Sequence, residues 1–588
     1  MKRLLFLLAM LWLKTTCAQE PFKLAVVCHD KPAIFFTKKL SYQTTFADSI
    51  RQRKEIDRIY SAIRQNGYLT ASVDSVVVLG RTIFAYIYVG EKFETITIYN
   101  GNVPEDFLPD IGLKKLDDGK VIPADGTMLF KAKVIQSCEN IGYPFAEVVL
   151  DSFSVLSGQI SARMYLQLHD LFRYDTLKIQ GKTKLKGLFL KNYLGIKPGK
   201  VYNEAMVRRV NQRLNELQFA EIIKPHTVEF RSDKAKVNVY LKDKKASQFD
   251  LLIGVLPSAG QKLLITGDVK IHLVSPFGAG EDLYLQWQKL QPKTQTLQVK
   301  VSYPYLVGLP LGVNVNFQLY KKDTAYLQLD GDYGVQYQMV GNNYLKASYR
   351  QKISIILDPD TNYVLINRTL PPNLDLSTNE FALELYLQKL NYKFNPVSGY
   401  VIQTSIAAGA RTIKKNTTLV GLYDAVEGRS FAYLYDTLKL TTFQMHIALM
   451  IDKFWKLNNK NTIRTMFEGK YIVSDHILEN EKYQIGGVTS LRGFDDRSIF
   501  TPYYGMVDLE YRYLISKNSY FYAFVNAAVV QNDGHFVDAV DFPYGFGAGT
   551  TFETKVGLFG ITYALGSQQG NPISFKNGKI HFGYVNYF

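Results

Sequence analysis

The side chains in this sequence that could do chemistry are charges set against apolar residues at a spacing of two. In Leu509-Glu510-Tyr511-Arg512-Tyr513 the two charges share one parity and the large apolar residues share the other. A strand with that pattern separates two environments, and the chemistry it offers is ion pairing rather than bond-making. Upstream, Arg492-Gly493-Phe494 supplies a guanidinium, a residue free to turn tightly and an aromatic face. As a bare tripeptide this is an ordinary turn, and Asp495-Asp496 beside it reads as loop charge. There is no nucleophile elbow, phosphate-binding glycine loop or zinc-ligand spacing. The eight His are scattered. The expectation is therefore no enzyme, no metal and no other cofactor.

The elements that must position these residues begin with an export signal. Lys2 and Arg3 precede an apolar stretch at 4–13, and Thr16-Cys17-Ala18 offers small residues for cleavage. Residues 1–18 thus read as a signal peptide. Cys17 raises a lipidation alternative, which Lys14 disfavours. Over 588 residues, 47% are hydrophobic and 21% charged, which excludes a disordered chain. No apolar run reaches the ~18 residues of a membrane helix. The unusual feature is 40 Tyr and 36 Phe, an excess suited to β-structure, to a membrane-facing aromatic girdle, or to both.

Two cysteines remain after cleavage, Cys28 and Cys138. They read as two small buried hydrophobes, although an oxidising compartment permits one bridge. The formal charge is +16, and it is unevenly spread: residues 19–246 hold 35 basic and 25 acidic side chains, residues 247–588 hold 31 and 28. For an exported chain, a basic front half points away from nucleic acid and towards anionic lipid headgroups or acidic client segments. A solvated basic face is the plainer alternative.

That front half repeats. Asn66-Gly67-Tyr68-Leu69-Thr70-Ala71 is echoed by Ile141-Gly142-Tyr143-Pro144-Phe145-Ala146 and, more weakly, by Glu216-Leu217-Gln218-Phe219-Ala220-Glu221. Each echo follows a helical segment (47–65, 128–140 and 203–217) and precedes two strand-like runs. The unit is β-α-α-β-β over roughly 75 residues. The opening strand of the first copy lies somewhere within 22–36.

Near residue 247 the texture changes to long alternating segments. Sixteen of them centre near 252, 268, 286, 299, 315, 331, 349, 385, 404, 445, 467, 509, 525, 548, 561 and 584. About ten residues per strand, an even count and Tyr and Phe on the apolar parity describe a transmembrane β-barrel. Closure satisfies every backbone group that lipid cannot. A soluble sandwich or propeller would have shorter strands and no such aromatic parity.

Several motifs carry a family likeness. In Ile580-His581-Phe582-Gly583-Tyr584-Val585-Asn586-Tyr587-Phe588 the chain stops on an aromatic that shares parity with Tyr584, and this resembles the terminal assembly signal of outer-membrane barrels. Asn586 departs from that pattern. Gly486 to Phe494, between the eleventh and twelfth strands, resembles the arginine-glycine-aromatic loop of the outer-membrane assembly factor superfamily, which includes BamA, TamA and the two-partner secretion transporters. Tyr522 to Ala528 resembles that family's aromatic-aspartate strand, with Asn526 where an aspartate is usual. Residues 545–549 and 557–565 look like its closing strands. The three repeats look like its polypeptide-transport-associated (POTRA) modules. The likeness spans essentially the whole mature chain and is nearest to the TamA-type architecture.

The resemblance implies α+β tandem POTRA repeats followed by a 16-stranded antiparallel transmembrane β-barrel. The domains are a signal peptide at 1–18, POTRA-like modules at 19–91, 92–170 and 171–246, and an outer-membrane barrel at 247–588, with the modules in the periplasm. It implies that the loop folds into the barrel and that Arg492, Gly493 and Phe494 meet its inner wall. By parity, Val507, Leu509, Tyr511 and Tyr513 face out, while Asp508, Glu510 and Arg512 face in. Asp508 and Glu510 are then the better partners for Arg492, and Asn526 the third candidate.

The implied function is assembly, insertion or translocation of outer-membrane proteins. Modules capture client strands by backbone pairing, and a seam between the first and last strands passes them into the membrane, with Gly583, Tyr584 and Phe588 at that seam. Gly583 either weakens the last strand or makes room for a neighbour. The implied partners are unfolded outer-membrane or secreted protein clients, outer-membrane lipid and, in addition, a periplasmic or inner-membrane accessory protein; nucleic acid is not among them. The alternative is a dedicated two-partner-type secretion channel for one soluble protein. Residues 19–46 are poor material for the plug helix such a channel usually has. A passive porin would leave the repeats and the loop without a role.

Overall fold

The computed structural model describes residues 21–588 except 33–34, 37–39, 157, 258–262, 292, 340, 393–394, 488–489, 496, 535–536, 555–556, 569–572, 574 and 586–588. The proposed signal peptide, Asp496 and Phe588 lie outside the described residues, as do Val488 and Thr489 of the loop motif; Tyr584 is described in its backbone only. The chain divides into two compact units, residues 1–173 with 201–205, and 174–200 with 206–588.

The first unit holds two four-stranded sheets, each with a helix packed on it. One sheet has the order Thr45–Phe46, Phe22–Cys28, Thr82–Tyr88, Ser72–Leu79, so the opening strand of the first repeat is Phe22–Cys28. Its helix, Ser49–Gln65, is capped by the Asp48 carboxylate accepting from the Arg51 N–H and buries Ile56, Ile59 and Ile63. The other sheet has the order Lys120–Pro123, Thr95–Asn100, Gln159–Gln167, Glu147–Leu156. Its helix, Thr127–Asn140, buries Phe130, Val134 and Cys138. Cys28 and Cys138 are both free thiols. Only Cys138 is a plain core residue. Cys28 donates to the Asp30 carboxylate, which also accepts from the Val89 and Gly90 N–H groups, so it belongs to a polar turn.

The second unit begins with a three-stranded sheet ordered Ala220–Arg231, Lys234–Asp243, Arg173–Gln180. The helix expected at 203–217 is two short helices, Glu204–Arg208 and Val210–Glu216, with Val207, Val210 and Leu214 still turned to the core. The repeated landmark has a physical role in all three copies. The Gly67 carbonyl accepts from the Phe93 N–H, the Gly142 carbonyl from the Phe172 N–H, and the Phe219 carbonyl from the Lys244 N–H. Each turn after a helix thereby ties down the chain leaving its own sheet.

From Gln248 to Val585 the chain forms one antiparallel ladder in sequence order. It has 17 segments, but Val537–Asp541 and Tyr544–Thr554 both pair with Tyr520–Gly534 and are one strand broken at Phe542-Pro543. Sixteen strands result among the described residues, one at each alternating segment of the sequence. The chain is thus a row of α+β repeats followed by a 16-stranded transmembrane β-barrel. Among the described residues no helix is long and apolar enough to cross a membrane. The wall is even in register: Leu376–Leu390 pairs with Gly399–Ile413 over its whole length, and Thr441–Lys456 continues the ladder. Where the wall ends, the sixteenth strand, Lys579–Val585, comes close to the first, Gln248–Pro257, yet no backbone register joins them among the described residues.

Candidate functional site

The twelfth strand, Tyr503–Leu514, carries the alternation that its sequence requires. Val507, Leu509, Tyr511 and Tyr513 are exposed on its outer face, while Asp508, Glu510 and Arg512 are buried on the inner one. Into this inner face comes the segment 475–502, which connects the eleventh strand (Asn461–Ser474) to the twelfth. Arg492 lies near its tip and is 8% exposed. Its Nη2 donates to both Asp508 oxygens at 2.6 and 2.7 Å, and its Nη1 to Glu510 at 2.8 Å. The guanidinium also lies 3.6 Å from the ring centroid of Phe524 on the thirteenth strand. A planar fork satisfied at its edge and stacked on its face is what arginine offers and lysine does not.

The pairing continues along the wall. Arg464 bridges Asp508 at 3.7 Å and Asp452 at 2.9 Å, and Arg512 donates to Glu510 at 2.7 Å. Arg512 also donates to Asn395 at 3.1 Å, in the turn between the eighth and ninth strands, which lies at the other end of the barrel. Three carboxylates and three arginines thus alternate in the order Asp452, Arg464, Asp508, Arg492, Glu510 and Arg512, with the loop arginine inside the series and its last member at a turn folded in at the other mouth. Charges removed from water cost several kcal/mol each unless paired in this way.

Gly493 is the residue the approach requires. It sits at φ +99°, and an added Cβ would lie 2.6 Å from the Leu565 carbonyl carbon and oxygen on the fifteenth strand, Gly557–Ser567. Phe494 packs beside Gly566. Asp495 reaches the sixteenth strand, accepting from Lys579 at 2.7 Å. The loop tip therefore touches the twelfth, fifteenth and sixteenth strands together.

Asn526 is not a partner of Arg492. It is fully buried on the thirteenth strand, and neither of its amide atoms has a hydrogen-bond partner among the described residues. The two carboxylates already fill the guanidinium fork, and a neutral amide competes poorly with them. At the other end of the candidate set, Gly583 pairs across the ladder with Gly560, and a Cβ there would meet nothing within 4 Å. Among the described residues it makes room for no neighbour.

A second anchor was not read from the sequence. Glu481, at the start of the loop, accepts from Arg411 Nε at 3.0 Å and Nη2 at 2.6 Å, and from Gln444 at 3.1 Å. Both charged side chains are nearly inaccessible, at 1% and 3%. Next to it, Asn480 donates to Ser354 and to the Leu374 carbonyl and accepts from Gln328 through its own carbonyl. Tyr483 hydroxyl meets His446 at 2.9 Å. The start of the loop is thus fixed to the sixth (Tyr326–Gln338), seventh (Tyr344–Ile356), ninth (Gly399–Ile413) and tenth (Thr441–Lys456) strands, opposite the Arg492 end. One cavity inside, of about 440 Å³, is charged and bordered by Asp332, Arg350, Glu384, His446 and Tyr483. Among the described residues no group of His, Cys, Asp and Glu is gathered to hold a metal.

Residues 276–586, more than half of the chain, match the Omp85 superfamily domain. This chain belongs to the Omp85 superfamily. Residues 172–244 match the POTRA family, described as a surface antigen variable number repeat. Among solved structures, this Omp85 chain is similar to CdiB from Escherichia coli at 13% identity, with 92% of this chain and 97% of that one covered and a TM-score of 0.53. It is similar to CdiB from Acinetobacter baumannii at 15% identity, 85% and 91% coverage and a TM-score of 0.53. BamA from Haemophilus ducreyi lacking POTRA domains 1–3 matches at 15% identity, 83% and 99% coverage and a TM-score of 0.41. These likenesses concern the fold. No curated protein sequence matches the chain.

Proposed function

We propose that this Omp85 protein resides in the bacterial outer membrane, with its α+β repeats in the periplasm, and assembles or inserts outer-membrane proteins by a physical mechanism. The repeats offer strand edges, Ser72–Leu79 in the first sheet and Glu147–Leu156 in the second, to which an extended client adds by backbone pairing. The client strand then pairs at the edge exposed when the sixteenth strand leaves the first, and passes sideways into lipid. An unpaired backbone in hydrocarbon is costly, so an open seam favours any strand that covers it.

The observation that carries this reading is the placement of the Arg492 loop. It is fixed to a buried carboxylate pair on the twelfth strand and touches both strands that lead to the seam. A loop so placed aligns the terminal hairpin while leaving its last edge free to exchange partners. Dedicated secretion through the lumen is the second reading. It would require the doubly anchored loop to leave the lumen. The segment Phe22–Cys28, where a plug helix would be sought, is a strand of the first sheet. Both observations favour insertion.

The test is to reconstitute the protein in liposomes and time the folding of an unfolded outer-membrane barrel added from outside. Acceleration supports insertion. Ion conductance without acceleration would overturn it and favour the secretion channel.

A further inference from the structure

At the barrel end where the chain enters from the third sheet, two turns meet the helix Gly187–Leu194. The turn 275–281 joins the second strand (Leu263–Val274) to the third (Asp282–Gln291), and the turn 304–310 joins the fourth (Thr294–Tyr303) to the fifth (Leu311–Lys322). The Lys186 N–H donates to the Gly278 carbonyl at 2.8 Å, and Asn192 donates to the Gly308 carbonyl at 3.1 Å. Leu188 lies over Gly308. Gly278 has φ +80°, and an added Cβ would stand 2.1 Å from the Lys184 carbonyl oxygen. The helix therefore bridges the two turns in close contact.

Around this junction the apolar side chains point outward. Val307 is 87% exposed, Phe277 66% and Leu188 56%, with Leu306 and Leu309 exposed beside them. Single exposed apolar residues are ordinary, but five on one helix and the two turns it bridges are not. Val307 also holds φ +50°, a left-handed conformation that a β-branched residue adopts at a cost of about 1–2 kcal/mol. The group continues the outer face of the barrel, since Leu309, Leu311 and Val313 share one parity and all three are exposed, as is Val301 on the neighbouring strand. Between residues 176 and 203 the chain carries seven Lys and no Asp or Glu. Lys184 and Lys186 flank the turns and are exposed, and Lys191 lies one helical turn beyond Leu188.

We propose that this surface is seated in the membrane leaflet on the side of the third sheet. Leu188, Phe277, Leu306, Val307 and Leu309 enter the headgroup–acyl boundary, and Lys184, Lys186 and Lys191 pair with anionic phospholipid headgroups. An apolar patch with a lysine rim is the composition of an interfacial segment, and each lysine near an anionic surface contributes about 1 kcal/mol. The occupant is lipid rather than a partner protein because the patch is continuous with a face that already contacts lipid. The contact fixes the third sheet at a set height against the bilayer, beneath the strands where the ladder begins. This inference rests on the membrane-barrel fold and not on insertion activity, so either can fail alone.

The test uses the full chain in a Cys28→Ser background, with the buried Cys138 left in place. A nitroxide is attached at Val307→Cys, at Phe277→Cys as a second site, and at Ile366→Cys, which is 80% exposed at the opposite barrel end. In vesicles of phosphatidylethanolamine with phosphatidylglycerol, sites 307 and 277 should be several-fold less accessible to a water-soluble nickel relaxant than site 366, and more accessible to oxygen. Lys184→Glu with Lys186→Glu should restore much of the nickel access. Equal nickel access at 307, 277 and 366 would overturn the proposal. So would shielding that develops only when soluble periplasmic protein is added, or shielding unchanged by the lysine reversals and by omission of phosphatidylglycerol.

Discussion

The wall around the ninth strand and the closure between the sixteenth and first strands use the same backbone chemistry and differ in almost everything else. In the wall, Leu376–Leu390 and Gly399–Ile413 pair residue for residue along their full length, and the buried Arg411–Glu481 pair ties a loop across the inside. Beside the closure, Gly583 of the last strand faces Gly560 with no side chain on either, and among the described residues its ion pair is the exposed Lys579–Asp495. A cross-strand side-chain pair is worth about 0.2–1 kcal/mol, and a glycine pair forgoes it. Long register and buried charge thus stand in the wall, and a glycine pair and an exposed ion pair stand beside the closure. Among the described residues, the loop that carries Glu481 and Arg492 touches both regions.

The comparison is broken most severely at Arg492. Arg492→Ala removes the cation that Asp508 and Glu510 share and leaves them Arg464 and Arg512 alone, a loss of at most about 3–5 kcal/mol, and client folding in liposomes should fall close to the uncatalysed rate. Arg497→Ala is the control. Arg497 stacks on Tyr320 at 4.8 Å, so a small loss is expected there, well short of that at Arg492. Equal, negligible effects would remove the loop from the account.

Arg411→Met tests whether the wall anchor matters for itself or as a pair. Alone it should destabilise the loop by roughly 3 kcal/mol, because Glu481 remains buried and unpaired. Combined with Glu481→Gln it should cost much less than the sum, and a thermal double-mutant cycle measures the coupling. Additive losses would mean that the two side chains do not act together.

How far the sequence anticipates this division depends on the range of each interaction. Strand alternation is local, so all sixteen strands can be found by reading along the chain, and parity alone turns Asp508 and Glu510 inward. The resemblance of Gly486–Phe494 to a known loop brings Arg492 to them. Nothing local joins Arg411 to Glu481, which stand 70 residues apart and meet only because the loop crosses the lumen. Asn526 shows the opposite error: its parity is right, but its place beside the carboxylates is not a bond to the arginine. The helix at 203–217 reads as continuous because its apolar spacing survives the break at Arg209.

Two smaller changes sharpen the seam. Gly583→Val adds a β-branched side chain where a Cβ meets open space, so it should stiffen the terminal hairpin by about 0.5–1 kcal/mol. A rise in melting temperature with slower client insertion is expected. A faster insertion rate would contradict a seam that works by weakness. Asp495→Asn removes an exposed pair worth about 0.2–1 kcal/mol, and its effect on insertion should vanish in high salt. A large, salt-independent loss would place more of the hold on the last strand than the geometry supports.

The loop is expected to position the seam rather than merely fold the barrel. The most direct measurement therefore takes Arg492→Ala protein already folded in liposomes, verified by its heat-modifiable mobility on gels, and times client insertion against the unsubstituted chain. The account predicts an intact barrel with insertion reduced to the rate of empty liposomes. Undiminished insertion by a folded Arg492→Ala barrel would contradict it.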